Sequence, residues 1–306
     1  MSRIYDALQR ADRERKATQE ADSTQAGEPF TVPDAEELPE IKADLLLEDV
    51  ALHPWNLSLV SLPTIGDSGE IIEQFRALRS QLYKHLDAAP LKTILISSGI
   101  PAEGKTFVAA NLAMSLARSR NNRVLLIDAD LRGPALHSVL GAPRTPGITE
   151  YLAGTAELNR ILQRNQIPRV FDRGLLRNIP ELTFIPAGAG GDGAAELIAS
   201  PRFDDLVTTL APHFDWILID TPPTLAFADA IDLARTADAV LLVARAASTP
   251  YEVAQRAQAA FSNSRILGFV LNAVRNATRT GYYYGYGYGK TAGGESHRRK
   301  DKRREE

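Results

Sequence analysis

The residue types that could do chemistry are concentrated between Thr93 and Ala113 and in acids that end two later apolar runs. The stretch reads TILISSGIPAEGKTFVAANLA: a strand-like apolar run, a turn containing Gly104-Lys105-Thr106, and helically spaced apolar residues. A Gly-x-x-x-x-Gly-Lys-Thr sequence between a strand and a helix is typical of a phosphate-binding loop. Backbone N–H groups of such a loop converge on an anion, and the helix N-terminus adds a partial positive charge.

The loop residues divide into phosphate contacts and a metal ligand. The Lys105 ammonium can reach the β- and γ-phosphates of a nucleotide, and the Thr106 hydroxyl can ligate Mg²⁺. The sequence therefore predicts a site for ATP and Mg²⁺. We expect the nucleotide to contact these residues: Gly99, Pro101, Ala102, Glu103, Gly104, Lys105, Thr106 and Phe107.

Aspartates follow two further apolar runs. Val124–Ile127 leads into Asp128 and Asp130, and Trp216–Ile219 leads into Asp220. In open α/β sheets the carboxyl ends of the strands carry the ligand site. We expect Asp128 or Asp220 to hold the metal together with the threonine of the loop. Asp128 and Asp130 are both candidates for the catalytic base, although each acid could instead be a helix cap or a turn residue.

Strands alternate with helices over most of the remaining chain. This alternation predicts an α/β fold of the P-loop NTPase type, with a mostly parallel sheet and helices on both faces. Residues 141–178 are predicted to form an insertion over the site, and the glycine-rich residues 188–193 a flexible connection. Asn272 ends the last predicted strand and is a candidate contact to the adenine base.

Composition divides the chain of 306 residues into three parts. Residues 1–55 predict a short charged helix and a disordered acidic linker, because ten acids and one base lie between Glu20 and Asp49. Residues 56–276 carry the strand and helix pattern. Residues 277–306 are rich in tyrosine and glycine and end in basic residues. We expect both ends of the chain to be flexible extensions of the middle part.

The bulk composition excludes several classes of function. The chain has no cysteine, which excludes disulfides, thiol nucleophiles and cysteine-based metal sites. Its net charge of −3 gives no general attraction to nucleic acid. No apolar run has the length of a transmembrane helix, and the N-terminus lacks the apolar core of a signal peptide. A cytoplasmic location is compatible with this composition, and if the protein works at a membrane, something else must hold it there.

Two surface features remain outside the nucleotide site. Glu73, Arg76 and Arg79 stand at three-residue intervals on a strongly amphipathic predicted helix. They could form an intrahelical salt bridge or a charged face that pairs with another subunit. Five of the nine tyrosines lie within seven residues and are interspersed with glycine, which opposes both helix and packed strand. This cluster is either a low-complexity tail or a tethered substrate: Tyr282, Tyr283, Tyr284, Tyr286 and Tyr288.

Taken together, these motifs show a family resemblance. The runs SSGIPAEGKTFVAANLAMSLA, VLLIDADLRGPALHSVLG and WILIDTPP resemble the bacterial tyrosine kinases of capsule and exopolysaccharide synthesis. The resemblance covers roughly residues 57–290. Within it, Glu73-x-x-Arg76-x-x-Arg79 is similar to the family's oligomerisation motif, and the tyrosine cluster is similar to its autophosphorylation tail. The opening MSRIYDALQRADRER resembles the members that are separate cytoplasmic kinases.

The resemblance implies an activity and partners. It implies an ATP-dependent kinase that phosphorylates its own tail in trans within a homo-oligomeric ring, and thereby regulates polysaccharide polymerisation and export. From Asn276 to Tyr288 the tail could span about 40 Å, enough to reach a neighbouring site. The implied partners are further copies of the chain, a membrane-spanning chain-length regulator that activates the kinase, and a tyrosine phosphatase.

Two alternatives and one departure accompany this interpretation. Partitioning and septum-site ATPases are related, but carry a signature lysine where this chain has Ile100. The main alternative is such an ATPase switch, and another is a non-catalytic scaffold with a regulatory nucleotide site. The departure is Ala102, which stands where the family usually has glycine. If the loop needs a positive φ at this position, we expect a modest loss of nucleotide affinity.

Overall fold

The apolar runs of the sequence form the strands of one sheet. The computed structural model describes residues 50–66, 68–119, 122–165, 182–190 and 193–274. The strands in these ranges are β1 Leu52–His53, β2 Thr93–Ser98, β3 Val124–Asp128, β4 Gln163–Asn165, β5 Thr183–Ile185, β6 Trp216–Asp220, β7 Ala239–Arg245 and β8 Ile266–Asn272. The α-helices are α1 Glu70–Ala88, α2 Lys105–Ala117, α3 Leu136–Leu140, α4 Ile148–Leu152, α5 Leu158–Ile161, α6 Ala194–Ile198, α7 Pro201–Leu210, α8 Asp229–Leu233 and α9 Tyr251–Ala260.

The sheet has the strand order β1-β4-β5-β3-β6-β2-β7-β8. Neighbouring strands are parallel except for β4 and β5, which are antiparallel. The central strands β2, β3 and β6 are buried along their whole length. This arrangement confirms the predicted α/β fold of the P-loop NTPase type with a mostly parallel sheet.

Each face of the sheet has its own apolar core. Because successive side chains of a strand point to opposite faces, Leu95 of β2 packs into one core while Ile94 and Ile96 pack into the other. Residues of α1, α2 and α3 fill the core on the side of Ile94, and residues of α4 to α8 fill the opposite one. Helices therefore cover both faces, as predicted.

The fold begins earlier than the sequence indicated. Val50 and Trp55 are 3% and 7% exposed, and Leu52–His53 pairs with β4. The last residues of the predicted linker therefore belong to the sheet, and the domain starts at Val50 or before it rather than at residue 56. Strand β1 could not be predicted from the sequence because a strand of two residues is too short to show a period. The same holds for β4, whose residues Gln163, Arg164 and Asn165 are all polar.

Several predicted features lie outside the described residues. These are the N-terminal charged helix, most of the acidic linker, part of the predicted insertion and the tyrosine cluster. Among the helices that are described, none combines the length and the apolar character needed to cross a bilayer.

Helix α1 is attached to α2 by polar side chains as well as by apolar packing. Arg79 Nη1 donates to the Ser115 carbonyl oxygen at 2.5 Å and to the Ser115 hydroxyl at 3.3 Å. Asn111 Oδ1 accepts from the Thr64 hydroxyl at 2.8 Å, in the turn before α1. Arg118 Nη2 donates to the Ile65 carbonyl oxygen at 2.7 Å. One face of α2 therefore fixes α1 and the turn before it, and the same helix begins at the phosphate loop.

Candidate active site

The predicted site residues meet where the central strands end. Strand β2 runs into the loop before α2, β3 ends at Asp128 and β6 ends at Asp220. Asp128 and Asp220 are register partners on neighbouring parallel strands, and Ile96 of β2 is opposite Asp220 on its other side. Parallel strands deliver their carboxyl ends to one edge of the sheet. The tertiary structure therefore brings the loop and both acids together, as the motif spacing predicted.

The loop closes through two residues with left-handed backbone. Ala102 has φ of 65° and Gly104 has φ of 90°. A Cβ at position 104 would also lie 2.0 Å from Asn272 Nδ2, so any larger residue there would displace the Asn272 side chain. Helix α2 starts at the next residue, Lys105, so its free N–H groups face the loop. The loop at Ala102 does adopt the positive φ that would make alanine a poorer choice than glycine.

Lys105 lies beside Asp130, which follows β3, and near Asp220, which ends β6. Its Nζ atom is 2.6 Å from Asp130 Oδ2, 3.9 Å from Asp220 Oδ1 and 3.4 Å from the Thr106 hydroxyl. Burial alone would lower the pKa of Lys105, but the charges of Asp220 and Asp130 outweigh it and raise the pKa above its ordinary value. The lysine is therefore a cation at neutral pH, as a group that binds phosphate must be.

The three acids have different partners. Asp130 Oδ1 accepts from the Gly133 N–H at 2.9 Å, and its other oxygen binds Lys105. Asp128 Oδ2 accepts from the Leu136 N–H at 3.1 Å, while its Oδ1 has no hydrogen-bond partner within the described residues. Across those same ranges, no hydrogen bond of normal geometry reaches either oxygen of Asp220. Asp130 is thus fully engaged, and the other two acids keep free oxygens.

Burial is the largest influence on the pKa values of Asp128 and Asp220. It raises the pKa of Asp128 well above its ordinary value, and the charge of Asp220 adds to that effect. Burial also raises the pKa of Asp220 to about 6, against the opposing influence of Lys105 and the Thr106 hydroxyl. Charging both acids at once is unfavourable because they lie side by side away from water.

These free oxygens fit a divalent metal. The described residues contain no cluster of three or more His, Cys, Asp or Glu side chains arranged to hold a metal. Mg²⁺ does not need one, because it keeps several waters and is usually bound by one or two carboxylates together with substrate phosphates. Two buried acids with free oxygens, next to a threonine hydroxyl on the loop, match that requirement. The fold itself implies nucleotide binding with a divalent metal.

Two predicted nucleotide contacts have other partners in the structure. The Glu103 carboxylate accepts from the Ile100 N–H at 2.9 Å and from the Thr249 hydroxyl. Asn272 Nδ2 donates to the Glu103 carbonyl oxygen at 3.0 Å. The sequence predicted that Asn272 contacts the adenine base. In the structure its side chain instead bonds to the phosphate loop.

The side chain of Phe107 also has a partner in the protein. Its ring packs edge-on against the ring of Phe75 in α1, with 6.1 Å between centroids. The backbone N–H of Phe107, in the first turn of α2, is therefore the group that remains for binding phosphate.

The three predicted oligomerisation residues do not share one exposed face. Glu73 and Arg76 are exposed and form an ion pair of 2.6 Å along α1. Arg79 instead points to α2 and bonds with Ser115. The intrahelical salt bridge considered from the sequence is therefore present for the first pair, while Arg79 is part of the internal packing.

Sequence reasoning missed an arginine beside the acids. Arg132 makes two bonds with Asp229, at 2.7 Å and 3.1 Å, and its guanidinium lies 4.4 Å above the centre of the Phe227 ring. It links the loop after β3 to the loop after β6. Its position two residues after Asp130 was a usable signal, but its hydrogen-bond partner Asp229 is 97 residues away along the chain.

Known proteins are similar to this chain in sequence and in fold. A family profile described as the CobQ/CobB/MinD/ParA nucleotide binding domain matches residues 94–284. The putative tyrosine-protein kinase EpsB of Ralstonia solanacearum is 37% identical over 205 residues, which cover 66% of this chain and 26% of EpsB. The tyrosine-protein kinase YwqD of Bacillus subtilis is 32% identical over 202 residues, which cover 65% of this chain and 80% of YwqD.

A solved structure agrees with these relatives. The kinase domain of the Escherichia coli tyrosine kinase ETK superposes with a TM-score of 0.61 at 30% identity, covering 81% of this chain and 93% of that domain. The match to EpsB and similar curated relatives spans only about a quarter to a third of their length. The chain thus belongs to the CobQ/CobB/MinD/ParA family of nucleotide-binding domains and, within it, to the bacterial tyrosine kinases.

Proposed function

We propose that this chain is an ATP-dependent protein-tyrosine autokinase that phosphorylates the tyrosines at positions 282–288. The observation that carries the proposal is the position of Lys105, at the start of α2 and within 4 Å of Asp130 and Asp220. Phosphoryl transfer depends mainly on positioning and on charge stabilisation around the transferred group. A cationic lysine between a phosphate loop and strand-ending acids supplies both.

ATP supplies the phosphoryl group, and Mg²⁺ neutralises part of its charge when both are bound. Lys105 and the loop N–H groups hold the phosphates. Asp220 and the Thr106 hydroxyl would hold Mg²⁺, because within the described residues no hydrogen bond of normal geometry occupies either oxygen of Asp220. The chain's lysine must leave Asp130 for the phosphates, since in the structure its ammonium contacts that acid at 2.6 Å.

Asp128 is the catalytic base of the proposal. A tyrosine hydroxyl has a pKa near 10, so a carboxylate that accepts its proton assists attack on the γ-phosphorus. Asp128 Oδ1 is free among the described residues, whereas Asp130 Oδ1 accepts from the Gly133 N–H and Asp130 Oδ2 is released only when Lys105 moves to the phosphates. The tyrosine oxygen bonds to phosphorus as the bond to the ADP oxygen breaks, and the proton passes to the base.

The substrate in this proposal is the tail of another copy of the chain. The tail could extend about 40 Å beyond Asn276, which permits transfer in trans within a ring. The exposed pair Glu73–Arg76 is the contact proposed between subunits. We place the kinase domain at residues 50–276 and the phosphoacceptor tail at residues 277–306.

The proposal includes partners that set the cellular role. A membrane-spanning polysaccharide chain-length regulator would activate the kinase and hold it at the inner face of the membrane, and a tyrosine phosphatase would reset the tail. The cycle of assembly, phosphorylation and dissociation would then pace capsule or exopolysaccharide polymerisation and export. The names of the relatives support the kinase activity; the partners rest on the family resemblance alone.

Intact mass after incubation with Mg²⁺-ATP tests the proposal. Wild-type protein should gain successive phosphates that map to the tyrosine cluster, and Lys105→Met should gain none. Mixing Lys105→Met as substrate with a chain truncated after residue 276 tests transfer in trans. If ATP is consumed but no phosphotyrosine forms, even with a membrane fraction that supplies an activator, the partitioning-type ATPase switch replaces the kinase.

A further inference from the structure

Two residues from distant parts of the chain bond to Glu103, a residue of the phosphate loop. Glu103 is 2% exposed, which is unusual for a carboxylate. Its side chain accepts from the Ile100 N–H at 2.9 Å and from the Thr249 hydroxyl, and its carbonyl oxygen accepts from Asn272 Nδ2 at 3.0 Å. We call Glu103, Thr249 and Asn272 the latch. Thr249 follows β7 and Asn272 ends β8, so the latch ties the loop to the last two strands.

Strained backbone is concentrated at the latch. Within the ranges that the structure describes, the non-glycine residues with positive φ are Ala102 at 65°, Ala247 at 55° and Ala273 at 57°. Each lies one or two positions from a latch residue. L-residues avoid this region, and such backbone persists where the surrounding structure over-determines it. At Ala102 the surrounding structure includes the latch, which bonds the side chain and the carbonyl of the next residue, and Arg245, whose Nη1 donates to the Ala102 carbonyl oxygen at 3.3 Å.

We infer that the latch holds Ala102 at positive φ and thereby keeps the N–H groups of the loop turned toward bound phosphate. Glu103, Thr249 and Asn272 are then positioning residues and do not touch the nucleotide. This inference rests on the proposed function, because it concerns the same nucleotide site. It revises the sequence prediction that Glu103 and Asn272 contact the nucleotide.

The side chains of the latch are already fully engaged. Both carboxylate oxygens of Glu103 accept hydrogen bonds within the protein. A carboxylate that instead faced the phosphates would repel them, since like charges at short range are unfavourable. The amide of Asn272 is also occupied, because its Oδ1 accepts from the Ala273 N–H at 2.8 Å while its Nδ2 binds the loop.

Position 102 supplies the decisive test. Glycine takes positive φ without steric cost, so Ala102→Gly should let the loop keep its shape when the latch is weakened. A residue that bound the nucleotide directly, or that only stabilised the fold, would not be rescued by that change. The inference therefore predicts a specific coupling between Ala102→Gly and the loss of a latch bond.

The experiment measures the Kd of a fluorescent ATP analogue with Mg²⁺ for the full chain. Thr249→Val removes one latch bond with little change of shape, and we expect binding to weaken about fivefold, the cost of one hydrogen bond. Glu103→Ala removes two bonds and should weaken binding about tenfold or more. The matched control is Thr236→Val, which removes the same kind of bond, from a threonine hydroxyl to the Asp204 carboxylate, outside the site. It should bind like the wild type.

Rescue and charge dependence complete the experiment. The double variant Ala102→Gly with Thr249→Val should bind as tightly as Ala102→Gly alone. Glu103→Gln should stay close to the wild type, because its amide can still accept from Ile100 and bond to Thr249. The inference is overturned if Thr249→Val binds like Thr236→Val, if Ala102→Gly gives no rescue, or if Glu103→Gln is as weak as Glu103→Ala.

A second measurement separates this inference from the proposed function. Hydrogen exchange of residues 99–106 in the ligand-free chain should be faster in Thr249→Val than in Thr236→Val. If the wild type binds no ATP analogue, the proposed function fails. The exchange comparison still tests whether the latch holds the phosphate loop in place. Equal exchange in the two variants would overturn it.

Discussion

Asp128 and Asp220 lie directly opposite each other on the parallel strands β3 and β6, both with no exposed surface. The two acids are therefore neighbours in the same low-dielectric environment, at the edge of the sheet that carries the phosphate loop. A buried carboxylate costs stability when charged. The ligand-free chain therefore gives up stability for a site that is ready to receive a cation.

Neutralising one of these acids should stabilise the ligand-free chain in a pH-dependent way. The pKa of Asp220 is raised from 3.8 to about 6 in the folded state. Below pH 3.8 the acid is protonated in both states and costs nothing. As pH rises toward 6 the unfolded chain releases its proton while the folded chain keeps it, so the free energy of unfolding falls.

Asp220→Asn has no such proton to release. Its gain in the free energy of unfolding should be near zero at pH 4 and reach a plateau on the order of 1–3 kcal/mol above pH 6. Urea unfolding at pH 4, 5, 6 and 7 measures it. A gain of the same size at pH 4 and pH 7 would show that the titration of this acid is not the cause.

Variants of Asp128, which ends β3, and of Asp130, which follows it, should differ in their kinetics. Asp128→Asn removes the proposed base, so the maximal rate of tyrosine phosphorylation should fall about 10²- to 10⁴-fold with ATP affinity nearly unchanged. Asp130→Asn removes the main partner of Lys105, so its larger effect should be on the KM for ATP. Initial rates across a range of ATP concentrations separate the two. Loss of ATP affinity alone in Asp128→Asn would assign the base elsewhere.

The two arginines of α1 should separate stability from assembly. Arg79→Ala removes bonds to Ser115 and should lower the free energy of unfolding by about 1–3 kcal/mol. Arg76→Ala breaks an exposed ion pair and should change stability by less than about 0.5 kcal/mol, while it weakens the proposed subunit contact. Thermal unfolding and light scattering on the same samples make the comparison. Equal destabilisation by both variants would contradict the internal role of Arg79.

Phosphorylation of the tail should disperse the oligomer. Each phosphotyrosine adds about −1.5 to −2 charges, so five would add roughly −8 to −10 to one short segment. Light scattering should therefore report a smaller assembly after incubation with Mg²⁺-ATP, and high salt should weaken the effect by screening. A variant with phenylalanine at all five acceptor positions is the control and should stay assembled. A fully phosphorylated form as oligomeric as the unphosphorylated one would contradict this mechanism.

Local sequence patterns determined the main elements and the chemical groups of the site. The turn ending in Gly104-Lys105-Thr106, between an apolar run and helical spacing, identified the phosphate loop because its geometry depends on neighbouring residues. Apolar runs that end in Asp128 and Asp220 identified the acid-bearing strands for the same reason. Parallel strands in an α/β fold bring such ends to one edge, so the meeting of these residues followed from the pattern.

Strand order and long-range packing decided the rest. The register that sets Asp128 opposite Asp220 exists because β6 lies between β3 and β2, an order that the sequence does not state. The bond from Thr249 to Glu103 joins residues 146 positions apart, and Arg79 of α1 meets the Ser115 carbonyl oxygen 36 positions further along the chain. Periodicity reports which face of an element is apolar. Periodicity does not show which polar group of a distant element a side chain will contact, because those contacts form only when the elements pack together.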